Sequence, residues 1–225
     1  ASVLGEKIRI SGGGRCNFTN VHSSPANFLS LNPHFVKSAL ARYPAAEFIK
    51  LIQSYRIAYH EKHQGQLFCD DSAKQVVDML MSECARGNVT IRHPVTVESI
   101  TQEGEHWLIS TSAGIETSRA VVMATGGLPV PAIGASAYSL DIAKQFGLDV
   151  IEPRPALVPL SFTAEAFASL NELAGLSVPI GIESGTKKAR YGACHFHEDV
   201  LITHKGLSGP AILQASSYWV EGEPI

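Results

Sequence analysis

The chain has 225 residues, of which 45% are hydrophobic and 17% are charged, so the composition predicts a packed core and excludes a disordered chain. Its formal net charge of −3 excludes a general attraction to nucleic acid or to anionic membranes, but leaves room for a local basic patch. Four widely spaced cysteines without a CxxC pair favour thiols in a reducing compartment, and we expect a cytoplasmic protein.

The first half of the chain predicts a mixture of short strands and helices around a glycine-rich segment. Three consecutive glycines follow a β-like run at residues 8–10. Apolar residues at helical spacing predict a helix over 34–55, and Asp71-Ser72 is typical of the cap of a helix from about Ala73 to Cys84. Short strands are expected over residues 57–59, 66–68 and 89–91.

From residue 95 the pattern changes to hairpins. Three β-like runs, at 95–100, 106–112 and 115–125, are joined by short turns, and the third run ends at Thr125-Gly126-Gly127. A helix is expected over 139–146 and a strand over 148–151. Beyond residue 157 the pattern is β-like again, with runs at 157–162, 176–184 and 199–204, a charged turn at 185–190 and a helix at 211–219. The sequence therefore predicts a division into domains 1–158 and 159–225.

The glycine-rich loop has two interpretations. Gly12, Gly14 and Asn17 give the pattern GxGxxN, which has an asparagine in place of the last glycine of the dinucleotide fingerprint GxGxxG. The residues after it do not predict a helix. A tight structural turn explains three glycines equally well. Backbone N–H groups beside Arg15 would also suit a phosphate or a flat polar ring.

A second glycine-rich segment follows an apolar run, in the stretch VVMATGG over residues 121–127. Residues 120–140 are uncharged, but repeated glycines and prolines exclude a membrane-spanning helix there, and we expect no membrane partner. The run predicts a buried parallel strand, and ligands of α/β sheets bind beyond the carboxyl ends of such strands. A plain strand-to-loop junction is the alternative.

Taken together, the motifs resemble those of a known family. SGGGRCNFTN, GQLFCD, VVMATGGLPVPAIGA, PALVPLSF and THKGLSGPAILQASSYW occur in the order seen in the aminoacetone-oxidase-like FAD-binding family of bacterial flavoproteins. The resemblance covers nearly the whole chain. It implies a partial FAD-binding α/β domain of the glutathione-reductase type at 1–158, and the start of an inserted, β-barrel-containing domain at 159–225.

The resemblance also implies roles for individual residues. One loop of the family packs on the flavin, one strand residue meets the adenine through its backbone, and an ATGG segment lies under the dinucleotide. A loop of the inserted domain, at residues 206–210, has N–H groups that we expect to suit an anion. The matching cofactor residues here are Ser11, Gly12, Gly13, Gly14, Arg15, Cys16 and Asn17, then Val97, then Ala124, Thr125, Gly126 and Gly127.

Family members are longer than this chain at both ends. About thirty further residues in front hold their GxGxxG turn, so the resemblance implies a fragment that would bind FAD poorly alone. The chain also departs from the family locally, because Pro129 and Ala132 replace a serine and a lysine, and Ala137, Ser139 and Leu140 replace two glycines and a tyrosine. Those departures predict a backbone that is less free to approach a ligand in the middle of the site.

Several side chains have alternative interpretations. His195 and His197 would share one face of a strand, which suits a metal, but without further ligands at useful spacing we favour a solvated strand and predict no metal site. The segment around His60 and His63 reads as a polar turn. For Cys16 we favour a structural role beside the cofactor, since the sequence offers no neighbouring cysteine. His204 is a weak candidate for proton donation, and the catalytic residues are otherwise unknown.

The sequence therefore predicts an FAD-dependent oxidoreductase in which the flavin carries the hydride chemistry. NAD(P)H is kept open as its reductant. The alternative is a non-catalytic binding protein, or an RNA-associated protein, on a flavoprotein-derived fold. Whether the partner is a small-molecule substrate or an RNA base is undecided: a basic surface patch would favour RNA and an apolar pocket a small molecule. The sequence does not fix the oligomeric state.

Overall fold

The computed structural model describes residues 3–163, 165, 169–185, 191–220 and 225. The chain divides into two compact units. The first comprises Ala1–Ser23 and Ala41–Ile151, and the second comprises Ser24–Leu40 and Glu152–Ile225. The predicted division at residue 158 into a cofactor domain and an inserted domain stays a prediction.

The first unit contains two three-stranded antiparallel sheets and most of the helices. Its helices are α1 (Glu6–Ile10), α3 (Ala45–Ser54), α4 (Lys74–Arg86) and α5 (Tyr138–Gln145), while α2 (Lys37–Arg42) extends into it from the second unit. The first sheet has the order β1 (Asn17–Asn20), β3 (Gln66–Cys69), β2 (Tyr59–Glu61). The second sheet has the order β4 (Val97–Glu103), β5 (His106–Thr111), β6 (Gly114–Ser118).

The core of the first unit forms between the first sheet and helices α3 and α4. Ile52 of α3, Val76 and Met79 of α4 and Cys69 of β3 are almost completely buried in one apolar cluster. Burying one such aliphatic side chain contributes about 1.5–3 kcal/mol to folding. This cluster supports the β1–β3 strand pair from one face, and therefore also the glycine-rich segment that leads into β1.

Helix α5 lies against the second sheet through one aromatic contact and one hydrogen bond. The rings of Trp107 and Phe146 meet edge to face, with centroids 5.2 Å apart. Gln145 Nε2 donates to the carbonyl of Ile100 at 2.7 Å. Both contacts lie at the C-terminal end of α5, so that end is the part of the helix they hold on the sheet.

The second unit contains one four-stranded antiparallel sheet and a short helix. Its strands are β7 (Leu160–Ser161), β8 (Ser177–Ser184), β9 (Cys194–Thr203) and β10 (Gly206–Ser208), in the order β7-β10-β9-β8, followed by α6 (Gly209–Ala215). Ala211 and Ile212 of α6 pack with Ile182 and Val200 of the sheet. Over the residues that the structure describes, this sheet is open, and a closed barrel is not shown.

Four predicted strands are wrong. Residues 8–10 lie in α1, where an ion pair between Glu6 and Arg9 at 2.8 Å supports a helical turn. Residues 89–91, 121–125 and 148–151 form no strand, and the Val122 side chain is 86% exposed. A strand needs a neighbour to pair its backbone, and every pairing among the described residues is antiparallel and involves other segments.

Other predicted helices and strands overlap elements of the structure. The predicted helix at 34–55 exists as two pieces, because Pro44 lies between α2 and α3 and cannot continue a helix. The predicted strand at 66–68 and the helix starting near Ala73 correspond to β3 and α4. The predicted strand at 57–59 shares only Tyr59 with β2, which continues through His60 and Glu61. Of the charged turn, residues 186–190 lie outside the described part.

No helix that the structure describes combines the length and the apolarity needed to cross a membrane.

Candidate functional site

The three glycines form a left-handed turn between α1 and β1. Gly12 and Gly13 have φ/ψ of 57°/32° and 65°/32° inside a 3₁₀ segment, Ser11–Gly14, a conformation that glycine adopts without steric cost. A Cβ atom at Gly12 would lie 2.8 Å from the Asn17 backbone nitrogen and from the Phe68 ring, so packing excludes a side chain there. A Cβ atom at Gly13 would meet nothing within 4 Å. Gly13 therefore presents bare backbone to open space.

Hydrogen bonds to its own neighbours and to two other elements hold this turn in place. Ser11 Oγ donates to the carbonyl of Ile8 at 2.7 Å, and the Cys16 N–H donates back to the Ser11 carbonyl at 3.0 Å. From outside the turn, the Ala73 N–H donates to the Gly14 carbonyl at 2.8 Å and the Cys69 N–H donates to the Arg15 carbonyl at 2.9 Å. The start of α4 and the end of β3 therefore fix the glycine turn, while the Arg15 side chain stays exposed.

Cys16 has a neighbouring cysteine that sequence spacing did not indicate. Pairing of β1 with β3 brings Cys69, 53 positions later in the chain, into the same apolar cluster, and both side chains are buried. Burial, with smaller contributions from Cys16 and Asp70, raises the pKa of the Cys69 thiol to about 11. A neutral buried thiol is unreactive, so Cys69 acts as a packing residue.

The second predicted segment, Ala124–Gly127, is exposed and has no regular structure. Gly126 has a left-handed φ of 76°, and an added Cβ atom there would meet nothing within 4 Å. Lys7 Nζ of α1 donates to the carbonyl of Pro129 at 3.2 Å. That bond links the helix before the glycine turn to the loop after Gly127. The expectation that both glycine segments face one cleft stays a prediction.

Val97, the third predicted element of the site, lies at the start of β4. It is 37% exposed and lies opposite Thr111. The glycine turn leads into the first sheet, whereas Val97 belongs to the second, so the strand pairings themselves do not bring these residues together.

The candidates in the second unit have structural explanations. His204 is an exposed residue in the turn between β9 and β10. A side chain at Gly206 would overlap the carbonyl oxygen of Leu160, and one at Gly209 would lie 2.7 Å from the carbonyl oxygen of Asp199. Close approach of backbones within the sheet therefore explains both glycines of the segment that we expected to suit an anion.

The two strand histidines behave as the alternation of β9 predicts. His195 and His197 share an exposed face, with ring centroids 4.3 Å apart, while Cys194 and Phe196 are half-buried on the other face. Both imidazole rings lie over Gly181 of β8, within 3.5 Å of the place where a Cβ atom would stand.

Sequence reasoning missed a group of polar and aromatic side chains beside the glycine turn. His60, interpreted as part of a polar surface turn, binds Asp70 through Nδ1 at 2.7 Å and lies next to the Phe68 ring. Phe68 in turn contacts Gly12. The sequence did not indicate this arrangement, because His60 was placed in the turn between the predicted strands, whereas β2 includes His60 and pairs it with Phe68.

Comparison with known proteins identifies the family. The model of the HI0933-like protein Rossmann domain matches residues 1–213. The chain therefore belongs to the HI0933-like family of Rossmann-like, flavoprotein-type domains, in agreement with the class that the sequence motifs predict.

Relatives with named activities match nearly the whole chain. The chain is 48% identical over 221 residues to a ribosomal RNA dihydrouridine synthase of Escherichia coli and 44% identical over 226 residues to one of Haemophilus influenzae. It is 25% identical over 224 residues to a 3-dehydro-bile acid delta(4,6)-reductase of Clostridium scindens. These matches cover 97%, 99% and 97% of this chain but 53%, 55% and 52% of the relatives. The chain spans about half the length of the curated relatives it matches.

Proposed function

We propose that the chain is part of an FAD-dependent oxidoreductase that reduces a double bond conjugated to a carbonyl, and that its substrate is a uracil base in ribosomal RNA. Membership of a flavoprotein-type family supports the cofactor. The relatives at 44–48% identity, which are named ribosomal RNA dihydrouridine synthases, support the substrate. The distant relative is named a 3-dehydro-bile acid delta(4,6)-reductase, which supports reduction of a carbon–carbon double bond as the reaction type.

The observation that carries the cofactor proposal is the bare backbone at Gly13 and Gly126. Each has a left-handed φ and open space where a side chain would stand, and the Lys7–Pro129 contact links the two segments. Open glycines also occur elsewhere, for example at Gly104, but that residue lies in the hairpin turn between β4 and β5. A planar ring could approach Gly13 and Gly126 to van der Waals distance, so the residues present fit a dinucleotide.

Each part of the proposed site has its own task. Residues 11–17 would pack on the flavin, residues 124–127 would lie under the dinucleotide, and the Val97 backbone would meet the adenine. FAD held by these residues would, when reduced, supply the hydride for one carbon of the substrate double bond, and the other carbon would receive a proton. NAD(P)H is the proposed source of the electrons, and residues 159–225 are the proposed start of the inserted, β-barrel-containing domain.

The first experiment measures flavin in the full-length gene product. We expect it to purify with the absorption bands of oxidised flavin. Replacing Gly13 with Leu should lower the flavin content, because the side chain would fill the space of the ligand. Gly104→Leu is the matched control: its φ of 60° compares with 65° at Gly13, and it too faces open space, so both variants carry similar backbone strain of about 1–3 kcal/mol.

The second experiment tests the reaction. Incubating the flavin-loaded protein with NADPH and a ribosomal RNA fragment should convert a uridine to dihydrouridine, seen as the mass of two added hydrogens and loss of the ultraviolet absorbance of the base. A folded protein that holds no flavin, and gains none on incubation with FAD, would overturn the enzyme proposal and favour the non-catalytic RNA-associated alternative.

A further inference from the structure

The outer face of the first sheet carries an arrangement of side chains that core packing does not require. Leu67 and Cys69 of the central strand β3 point into the core, so Gln66 and Phe68 point to the opposite face. His60 of β2 lies directly opposite Phe68, and Lys62 follows two residues later on the same face. We call Phe68, His60, Lys62 and Gln66 the outer-face group.

The two rings of this group form an incompletely covered aromatic surface. The planes of His60 and Phe68 are within 19° of parallel, with centroids 6.4 Å apart. Rings at that separation are offset, so neither fully covers the other. Phe68 is half-buried, and its ring atoms Cε1 and Cδ1 lie 2.8 and 3.1 Å from the place where a Cβ atom of Gly12 would stand, so the ring lies against the glycine turn.

Asp70 fixes the orientation of the imidazole. Its carboxylate Oδ1 lies 2.7 Å from His60 Nδ1, and the two side chains are 43% and 45% exposed. A carboxylate only accepts hydrogen bonds, so Nδ1 carries the proton and Nε2 of the neutral ring is left as an acceptor. Among the described residues no hydrogen bond to Nε2 is formed. An acceptor held at the edge of a ring suits the imide N–H of uracil, which cytosine lacks.

Lys62 supplies positive charge on the same face. Its ammonium lies over the Phe68 ring, 5.5 Å from the ring centroid, and within the described part of the chain it forms no ion pair. Asp70 binds His60, and Glu61 accepts a hydrogen bond from the Gly65 N–H at 2.9 Å. A base that stacks on the Phe68 ring takes the place of the ammonium over it, and the lysine then pairs with the phosphate of the same nucleotide.

We propose that the outer-face group is a docking site for an unpaired uracil nucleotide of single-stranded RNA. Phe68 stacks on the base, His60 Nε2 accepts its imide N–H, and Lys62 pairs with a phosphate. This inference rests on the proposed function, and contact between Phe68 and Gly12 places the docking face directly beside the glycine turn of the proposed flavin site.

The test measures binding of fluorescently labelled oligouridine to the full-length gene product by anisotropy, without turnover. His60→Ala and Phe68→Leu should each weaken binding about tenfold, within the range for loss of one base contact. Lys62→Gln should lower the slope of log affinity against log salt by about 0.7, the value for one phosphate contact on a single strand. Lys50→Gln removes an exposed lysine that pairs with Glu47 on α3, and should leave both quantities unchanged.

Two comparisons make the outcome decisive. His60→Ala should reduce the preference for oligouridine over oligocytidine, which a purely electrostatic surface would not do. If Phe68→Leu fails to fold, as judged by circular dichroism, the binding measurements on His60→Ala and Lys62→Gln test the docking proposal. Wild-type binding by both folded variants, equal weakening by Lys50→Gln, or no RNA binding by the wild-type protein would overturn the inference.

The two proposals fail separately. A protein that holds flavin and reduces uridine while the variants bind RNA normally would overturn the docking face alone. A protein without flavin whose variants lose RNA binding would overturn the oxidoreductase proposal and leave the docking face standing.

Discussion

Individual glycines in this chain serve different purposes. Gly12 and Gly206 are places where another part of the chain comes too close for any side chain, whereas Gly13 faces open space. The difference lies in what surrounds each residue: the Phe68 ring lies against Gly12, and the backbone of β7 lies against Gly206. Substitution should therefore affect stability at the first two and ligand binding at the third.

Gly206→Ala should strongly destabilise the second unit. The new methyl group would overlap the Leu160 carbonyl oxygen, which cannot move without breaking the pairing of β7 with β10. We expect a loss of about 2–4 kcal/mol in the free energy of unfolding, measured by urea titration. Gly175→Ala is the control, because its φ of 98° brings backbone strain but no overlap within 4 Å, and it should cost about 1 kcal/mol. Equal losses for the two variants would show that strain alone matters.

At the scale of elements, local patterns were sufficient for some segments. The hairpins of the second sheet and helix α4 follow from alternation and helical spacing within a few residues, and the sequence predicts them. The stretch 121–125 has the composition of a buried strand but forms none, since strand formation depends on a partner from elsewhere in the chain. Residues 8–10 were misread because a three-residue apolar alternation also fits one turn of a helix.

The edge-to-face pair of Trp107 and Phe146 should contribute to the docking of α5 on the second sheet, beside the hydrogen bond from Gln145 to Ile100. Trp107→Leu, Phe146→Leu and the double variant form a thermodynamic cycle, from which we expect a coupling energy of about 0.5–1.5 kcal/mol for the edge-to-face contact. The control cycle pairs Trp107 with Phe48, which packs on the core of the first sheet instead. Coupling that is no larger for Phe146 than for Phe48 would show that the contact does not hold the helix.

At the scale of the molecule, the sequence motifs indicated a flavoprotein-type family, and the match over residues 1–213 shows membership of the HI0933-like family. Both predicted glycine segments belong to the first unit and are linked through Lys7 and Pro129. The sequence did not indicate the His60–Asp70 pair or the contact of Phe68 with Gly12, because both depend on the register of β2, β3 and the turn. Motifs therefore indicated the segments of the candidate site, and strand pairing supplied their neighbours.

Cofactor binding should change amide exchange in two separate parts of the first unit. Adding FAD to the flavin-depleted full-length gene product should slow hydrogen–deuterium exchange in peptides covering residues 11–17 and 124–127. Ligand contact suppresses local opening of exposed backbone, which both segments present at Gly13 and Gly126. Peptides of the β4–β5 turn around Gly104 and of the β8–β9 pair are the controls, and should exchange at unchanged rates. Protection of one glycine segment without the other would contradict a shared cofactor site, and uniform protection of the whole chain would indicate general stabilisation instead of contact at these residues.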